Sequence, residues 1–219
     1  MVRHFFSKHF IPFLFIAFVL GICSCSNNVP ELGNSRLSVV FDYNSYDDLP
    51  NARLSIFVES VSNPRRFDTI TVTSDQNEYV WEANDLVLAA DSEKTYCGVT
   101  NFVMPANQKI PSGEYTILFR QADDEQTEIK RILSYDKSLY ETKGSDVSKV
   151  MKKFYSTRML TVYDANKKII YYGPRTSELL DSRGIWNNYR EAAEYQESWI
   201  NQSGTIICNL PMEKVEPGN

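Results

Sequence analysis

The amino-acid sequence predicts a mainly β protein, an antiparallel β-sandwich over residues 36–136 followed by a smaller α+β extension over 137–210. Three observations carry this reading. Apolar and polar residues alternate with period two in seven or eight short segments, turn signals recur about every 8–12 residues, and no long 3.6-residue period occurs before residue 137. With 219 residues, 42% of them hydrophobic and 13% aromatic, the chain is long enough to bury a sizeable core without metal staples.

The N-terminal residues differ from all that follow. Arg3 and Lys8 bracket the start of an apolar run of 13 residues, 10–22, broken only by Pro12. A spanning helix needs about 20 apolar residues, so residues 1–24 read as an export signal and not as a span. The run ends in Ile22-Cys23-Ser24-Cys25-Ser26-Asn27, with an apolar residue three before Cys25 and a small one directly before it. This stretch resembles the lipobox of bacterial lipoprotein precursors. The resemblance implies cleavage before Cys25 and a diacylglycerol on its thiol, which anchors the protein to a membrane of the cell envelope. Cys23 is the poorer site, because the residue before it is the bulky Ile22. Ser26 stands where an aspartate retains many such proteins at the inner membrane, so the resemblance implies the outer membrane. Residues 25–35, with Pro30 and Gly33, read as a flexible tether from the lipidated cysteine.

The strands follow in order. Leu37, Val39, Phe41 and Tyr43 alternate with mostly polar neighbours, and Leu54, Ile56 and Val58 repeat the pattern after the turn at 47–51. Segments 67–73, 78–82, 86–90, 96–103, 115–120 and 127–133 continue it, the last two joined across Asp123-Asp124-Glu125. The stretch Pro111-Ser112-Gly113-Glu114-Tyr115 resembles the Pro-x-Gly-x-Tyr strand start of immunoglobulin-like and transthyretin-like bacterial sandwiches. It implies a fold type and no activity. Proline fixes φ, glycine permits the sharp bend, and Tyr115, Ile117 and Phe119 then alternate into the core.

Beyond residue 137 the pattern changes. Val147, Val150, Met151, Phe154 and Tyr155 recur at helical spacing, a hairpin joins 159–163 to 168–172, and Asn188 with Glu191 suggests the start of a second helix over 187–200. A final strand at 205–210 carries Cys208, and 211–219 read as a frayed tail. Charge divides at the same place. Residues 25–136 hold 9 basic and 18 acidic side chains, whereas 137–219 hold 12 and 10.

Composition narrows the chemistry. His4 and His9 are the chain's two histidines, so removal of residues 1–24 leaves none and excludes His-based triads and His-ligated metal centres. The net charge is −5, or −7 without Arg3 and Lys8, and the basic residues form only short doublets, which argues against a nucleic-acid partner. No glycine-rich phosphate loop, nucleophile elbow or Ser-x-x-Lys motif occurs, so no cofactor or metal is expected. Cys97 and Cys208 form a candidate disulfide, as an even pair in an oxidising compartment. Asp123-Asp124-Glu125 reads as a solvated hairpin tip, and Asp42, Asp47 and Asp48 lack the glycine and terminal glutamate of a calcium loop. The remaining lead is aromatic: Tyr79 and Trp81 are candidate ligand contacts.

The expectation is a membrane-anchored, non-catalytic interaction or structural module, contacting a protein or glycan partner. The alternative is a carbohydrate or cell-wall binder that uses exposed aromatics, followed by a hydrolase built on paired carboxylates.

Overall fold

The computed structural model describes residues 32–61, 64–91 and 94–216. The expected export signal and the expected lipidation site, Cys25, lie outside the described residues. Leu32–Asn219 form one compact unit, and among the described residues no helix is long and apolar enough to cross a membrane.

The protein is mainly β. The first eight strands are β1 (Leu32–Asp42), β2 (Asn51–Ser60), β3 (Phe67–Ser74), β4 (Tyr79–Ala83), β5 (Val87–Asp91), β6 (Lys94–Val103), β7 (Gly113–Gln121) and β8 (Gln126–Leu133). A short helix α1 (Val147–Met151), the hairpin β9 (Thr157–Asp164) and β10 (Ile169–Pro174), helix α2 (Ser182–Asn188), and strands β11 (Ala192–Ile200) and β12 (Ile206–Lys214) complete the chain. They form an eight-stranded sheet ordered β10-β9-β11-β12-β1-β2-β6-β5 and a four-stranded sheet ordered β4-β3-β7-β8.

The core lies between the sheets. Leu37, Val39 and Phe41 of β1, Leu54, Ile56 and Val58 of β2, and Cys97 and Val99 of β6 face Ile70, Val72, Tyr115, Ile117 and Phe119 of the smaller sheet. This is the alternation read from the sequence, since successive strand residues point to opposite faces. The Pro-x-Gly-x-Tyr stretch does what its chemistry suggests. Gly113 takes φ +146°, which disfavours other residues, and the buried Tyr115 turns its hydroxyl back to donate to the Pro111 carbonyl at 2.6 Å.

Several expectations change beyond residue 137. The C-terminal extension joins the sandwich: β12 pairs in parallel with β1, through Val39↔Ile206 to Asp42↔Asn209, and carries β11, β9 and β10 into the same sheet. The charge shift therefore marks no structural boundary. Segment 192–200 is a strand and not a helix, because its backbone is paired on both sides, with β9 and β12, and places Tyr195, Glu197 and Trp199 on one face. The second helix lies earlier, over Ser182–Asn188, where Asp181 accepts from the Gly184 amide at 2.7 Å as its N-cap. The expected tail continues β12 to Lys214. Pro211 is tolerated there because it lies beyond the pairing with β1 and in a bulge, where Leu210 and Pro211 oppose Glu197. At the other end, residues 32–35 belong to β1 and shorten the tether. Tyr155, expected on the buried helical stripe, takes φ 51° as the cap after the helical turn at Lys152–Phe154 and points into solvent.

These elements leave the eight-stranded sheet one-sided. The smaller sheet covers the inner face of β1, β2 and β6, while α1 and α2 cover β9, β11 and β12 on that same face, through Val147 and Met151 and through Ile185. The outer face has no second sheet among the described residues, and Ser38, Val40 and Ser55 on it are buried all the same.

Candidate binding groove

The residues expected to contact a ligand are structural neighbours of the core. Tyr79 and Trp81 alternate onto the inner side of edge strand β4, and the Trp81 ring stacks on buried Tyr115 at 6.4 Å between centroids. Trp81 Nε1 donates to the Val103 carbonyl at 2.9 Å, and the Tyr79 hydroxyl donates to Gln108 Oε1 at 2.8 Å. Both polar edges are used within the fold.

Cys97 and Cys208 are both buried and unpaired. They sit in β6 and β12 of one sheet, three inter-strand spacings apart, about 14 Å before any offset along the strands. A disulfide needs Cα atoms within about 7 Å, so the expected bridge does not form. Burial raises both thiols, Cys97 to about 11 and Cys208 to about 12.

The outer face carries a concave groove of about 790 Å³. Its floor is built from the outward positions of β1, β2 and β6. Register places Arg36 beside Phe57 and Phe57 beside Gly98, with Ser38 opposite Ser55. A Cβ on Gly98 would lie 2.6 Å from Phe57 Cδ1, so the glycine leaves room for the ring to lie against the strand. The turn between β11 and β12 closes one side: Ser38 Oγ donates to the Gly204 carbonyl at 2.7 Å, and Ser203 and Thr205 lie within 2.9 Å of each other. Gly204 takes φ +70°, and a Cβ there would lie 2.9 Å from Arg36 Cζ. That turn therefore leaves room for the Arg36 side chain against a glycine.

Tyr96, Ala89 and Tyr172 also border the groove. Ala89 belongs to edge strand β5 and Tyr172 to the opposite edge strand β10. A flat sheet would hold these strands about 33 Å apart, so the sheet curls around this face. At the rim, Arg131 Nε donates to the Ser35 carbonyl at 3.2 Å. The groove has a distinct chemistry. Arg36 and Arg131 line it, no described Asp or Glu does, and Ser38, Ser55, Ser203 and Thr205 share the lining with Phe57, Tyr96 and Tyr172. Ser35 Oγ is buried without a hydrogen-bond partner.

A second, smaller cleft of about 380 Å³ lies on the inner side, bordered by Lys152, Arg158, Glu197 and Trp199. Its charges are largely satisfied internally. Arg158 Nε donates to Glu197 Oε2 at 2.6 Å, Arg175 pairs with the other carboxylate oxygen, and the hydroxyls of Tyr195, at 2.5 Å, and Tyr46 donate to Glu213. Burial, then the charge of Arg158, lowers the Arg175 guanidinium; burial and the bond to Glu213 raise Tyr195 to about 12 and push Tyr46 up as well. Two cations and two carboxylates thus tie β9, β10, β11 and β12 to the loop after β1.

Among the described residues no group of three or more His, Cys, Asp or Glu is placed to hold a metal. Asp42 is engaged by Arg53 at 2.6 Å and by Asn209 Nδ2 at 2.8 Å. No family model matches the sequence, and no curated protein is significantly similar to it.

The sequence reading missed Arg36, Phe57, Tyr96, Arg131 and Tyr172. A signal was present: on a solvated strand face the outward positions carry Lys and Glu, whereas here they carry serine, arginine and aromatic residues.

Proposed function

We propose that this protein is a lipid-anchored module of the cell envelope that binds a partner and does no chemistry on it. Cys25 carries the anchor, and the uncovered face of the eight-stranded sheet contacts the partner. The observation that supports this reading most is the asymmetry of that sheet. One face is fully used by the core, and the other keeps a groove lined by arginine, hydroxyl and aromatic side chains. A solvated sheet face has no need of such a lining. Only six residues lie between Cys25 and Leu32, so the start of β1 at Leu32, close in sequence to Asn34 and Arg36 at the groove, lies within about 25 Å of the anchored cysteine.

Two measurements test the reading. Cells fed a labelled palmitate analogue should label the protein, Cys23→Ala should keep the label and Cys25→Ala should lose it; retention of label by Cys25→Ala contradicts the anchor. A form exported by an ordinary secretory signal and starting at Ser26 should cosediment with isolated envelope fragments, and Tyr172→Ala with Phe57→Ala should release it. Failure of that form to sediment, with the circular dichroism of a folded β protein, overturns the binding role.

A further inference from the structure

We infer that the groove on the outer face binds an acidic saccharide, with Arg36 as the residue that meets its carboxylate or phosphate group. This inference rests on the reading of that face as the binding surface and names its ligand class.

Four observations converge on it. The first is charge. The chain has a net charge of −5, yet this groove is lined by two arginines and by no described acid. Arg36 makes no hydrogen bond or ion pair among the described residues, and its guanidinium is seated over Gly204, leaving its donor edges free. A planar guanidinium offers two parallel donors to an oxyanion, and one that is already positioned loses little freedom on binding.

The second is the apolar part of the lining. Phe57 is held by the gap at Gly98, and Tyr96 and Tyr172 border the same space, with Tyr172 60% exposed. Ring faces of this kind pack against the C–H face of a pyranose while the sugar hydroxyls point aside. The third is the polar remainder, which consists of hydroxyls. Ser38, Ser55, Ser203 and Thr205 both donate and accept, as the hydroxyls of a sugar do. The fourth is size and shape. About 790 Å³ along a curled sheet face holds two to four sugar units and is open for a chain to pass through.

A protein segment fits these features less well. The groove has no continuous apolar floor for a helix, and its floor strand β2 is paired on both sides, with β1 and β6.

The test uses the protein purified from membranes in detergent and an immobilised array of uronate-, sialate- and phosphate-bearing oligosaccharides beside their neutral or esterified counterparts. Binding should be confined to acidic members, fall with added 0.5 M salt, and drop about tenfold or more in Arg36→Gln, whose melting temperature should stay unchanged because the side chain is exposed and unpaired. Arg36→Lys should restore binding only in part, since the ammonium keeps the charge and loses the fork. A carboxylate source and a phosphate source are separated by which acidic members bind. Equal binding of acidic and neutral members, abolished by Tyr172→Ala, overturns the acidic assignment and leaves the binding face intact. No binding to any member, with envelope cosedimentation retained, overturns the saccharide class. Loss of cosedimentation itself is the separate failure of the underlying reading.

Discussion

Replacing Glu197 by glutamine tests how the C-terminal strands are held. The Glu197 and Arg175 side chains are each 6% exposed, and the Arg158 side chain is 41% exposed. Glutamine keeps the shape and one acceptor but removes the charge that both guanidiniums face. Arg158 has access to water, whereas Arg175 is left buried beside a like charge. Breaking one partner of a buried pair costs about 3–5 kcal/mol, and the retained acceptor and the nearby Glu213 place this variant at the lower end, about 3 kcal/mol. With a urea dependence of about 2 kcal/mol per molar, the unfolding midpoint should fall by about 1.5 M. The assay is urea denaturation followed by tryptophan fluorescence, which reports Trp199 beside the cluster. A double variant, Glu197→Leu with Arg175→Met, removes both buried charges and should recover most of the loss, because an apolar pair of similar volume replaces a buried ion pair at little cost. A midpoint shift below about 0.3 M in Glu197→Gln, or a double variant less stable than the single one, refutes the reasoning.

Three further outcomes are expected. At pH 8 the native protein should leave Cys97 and Cys208 unreacted with a thiol reagent, since thiols raised to about 11 and 12 are less than about one part in a thousand ionised; both should react in denaturant, and a peptide linking them in a non-reducing digest contradicts the account. Trp81→Ala should lower stability by about 3 kcal/mol through the lost packing on Tyr115, while envelope binding per folded molecule is unchanged; lost binding at full stability would instead make Trp81 a ligand contact. Tyr195, raised to about 12 by burial and its bond to Glu213, binds its proton more tightly folded than unfolded; its contribution is complete below about pH 10 and is lost as pH rises toward 12. Alkaline titration at 295 nm should therefore show late tyrosine ionisation coinciding with unfolding, and Tyr195→Phe should remove part of that pH dependence.

Much of the fold is legible because burial and alternation coincide. Leu37, Val39 and Phe41, Leu54, Ile56 and Val58, and Tyr115, Ile117 and Phe119 face one core at every second position, and Pro111 to Tyr115 carries its strand start in a few residues. Segment 192–200 misleads because Tyr189, Ala193 and Ile200 fall at the i, i+4 and i+11 spacing of a helix face, and the sheet slot that makes it a strand is filled by residues distant in sequence. The same holds for Pro211 to Lys214, which reads as tail until β11 is beside it.

The groove is the least legible feature. Arg36, Phe57 and Tyr96 lie in outward strand positions, and only the order β12-β1-β2-β6, created by the parallel pairing of first and last strands, brings them and the 201–205 turn together. Tyr79 and Trp81 stood out in the sequence because they are large and adjacent. Their alternation turns them inward, where the fold uses both the rings and their polar edges.

The central claim is that the partner is met by the outer face of the eight-stranded sheet, and site-specific photocrosslinking in growing cells tests it most directly. A benzophenone side chain placed at Tyr172 or Phe57 in the groove should yield adducts of altered mobility on irradiation, while the same group at exposed Glu128 of β8 should yield none. Adducts from Glu128 with none from Tyr172 and Phe57 would contradict the claim.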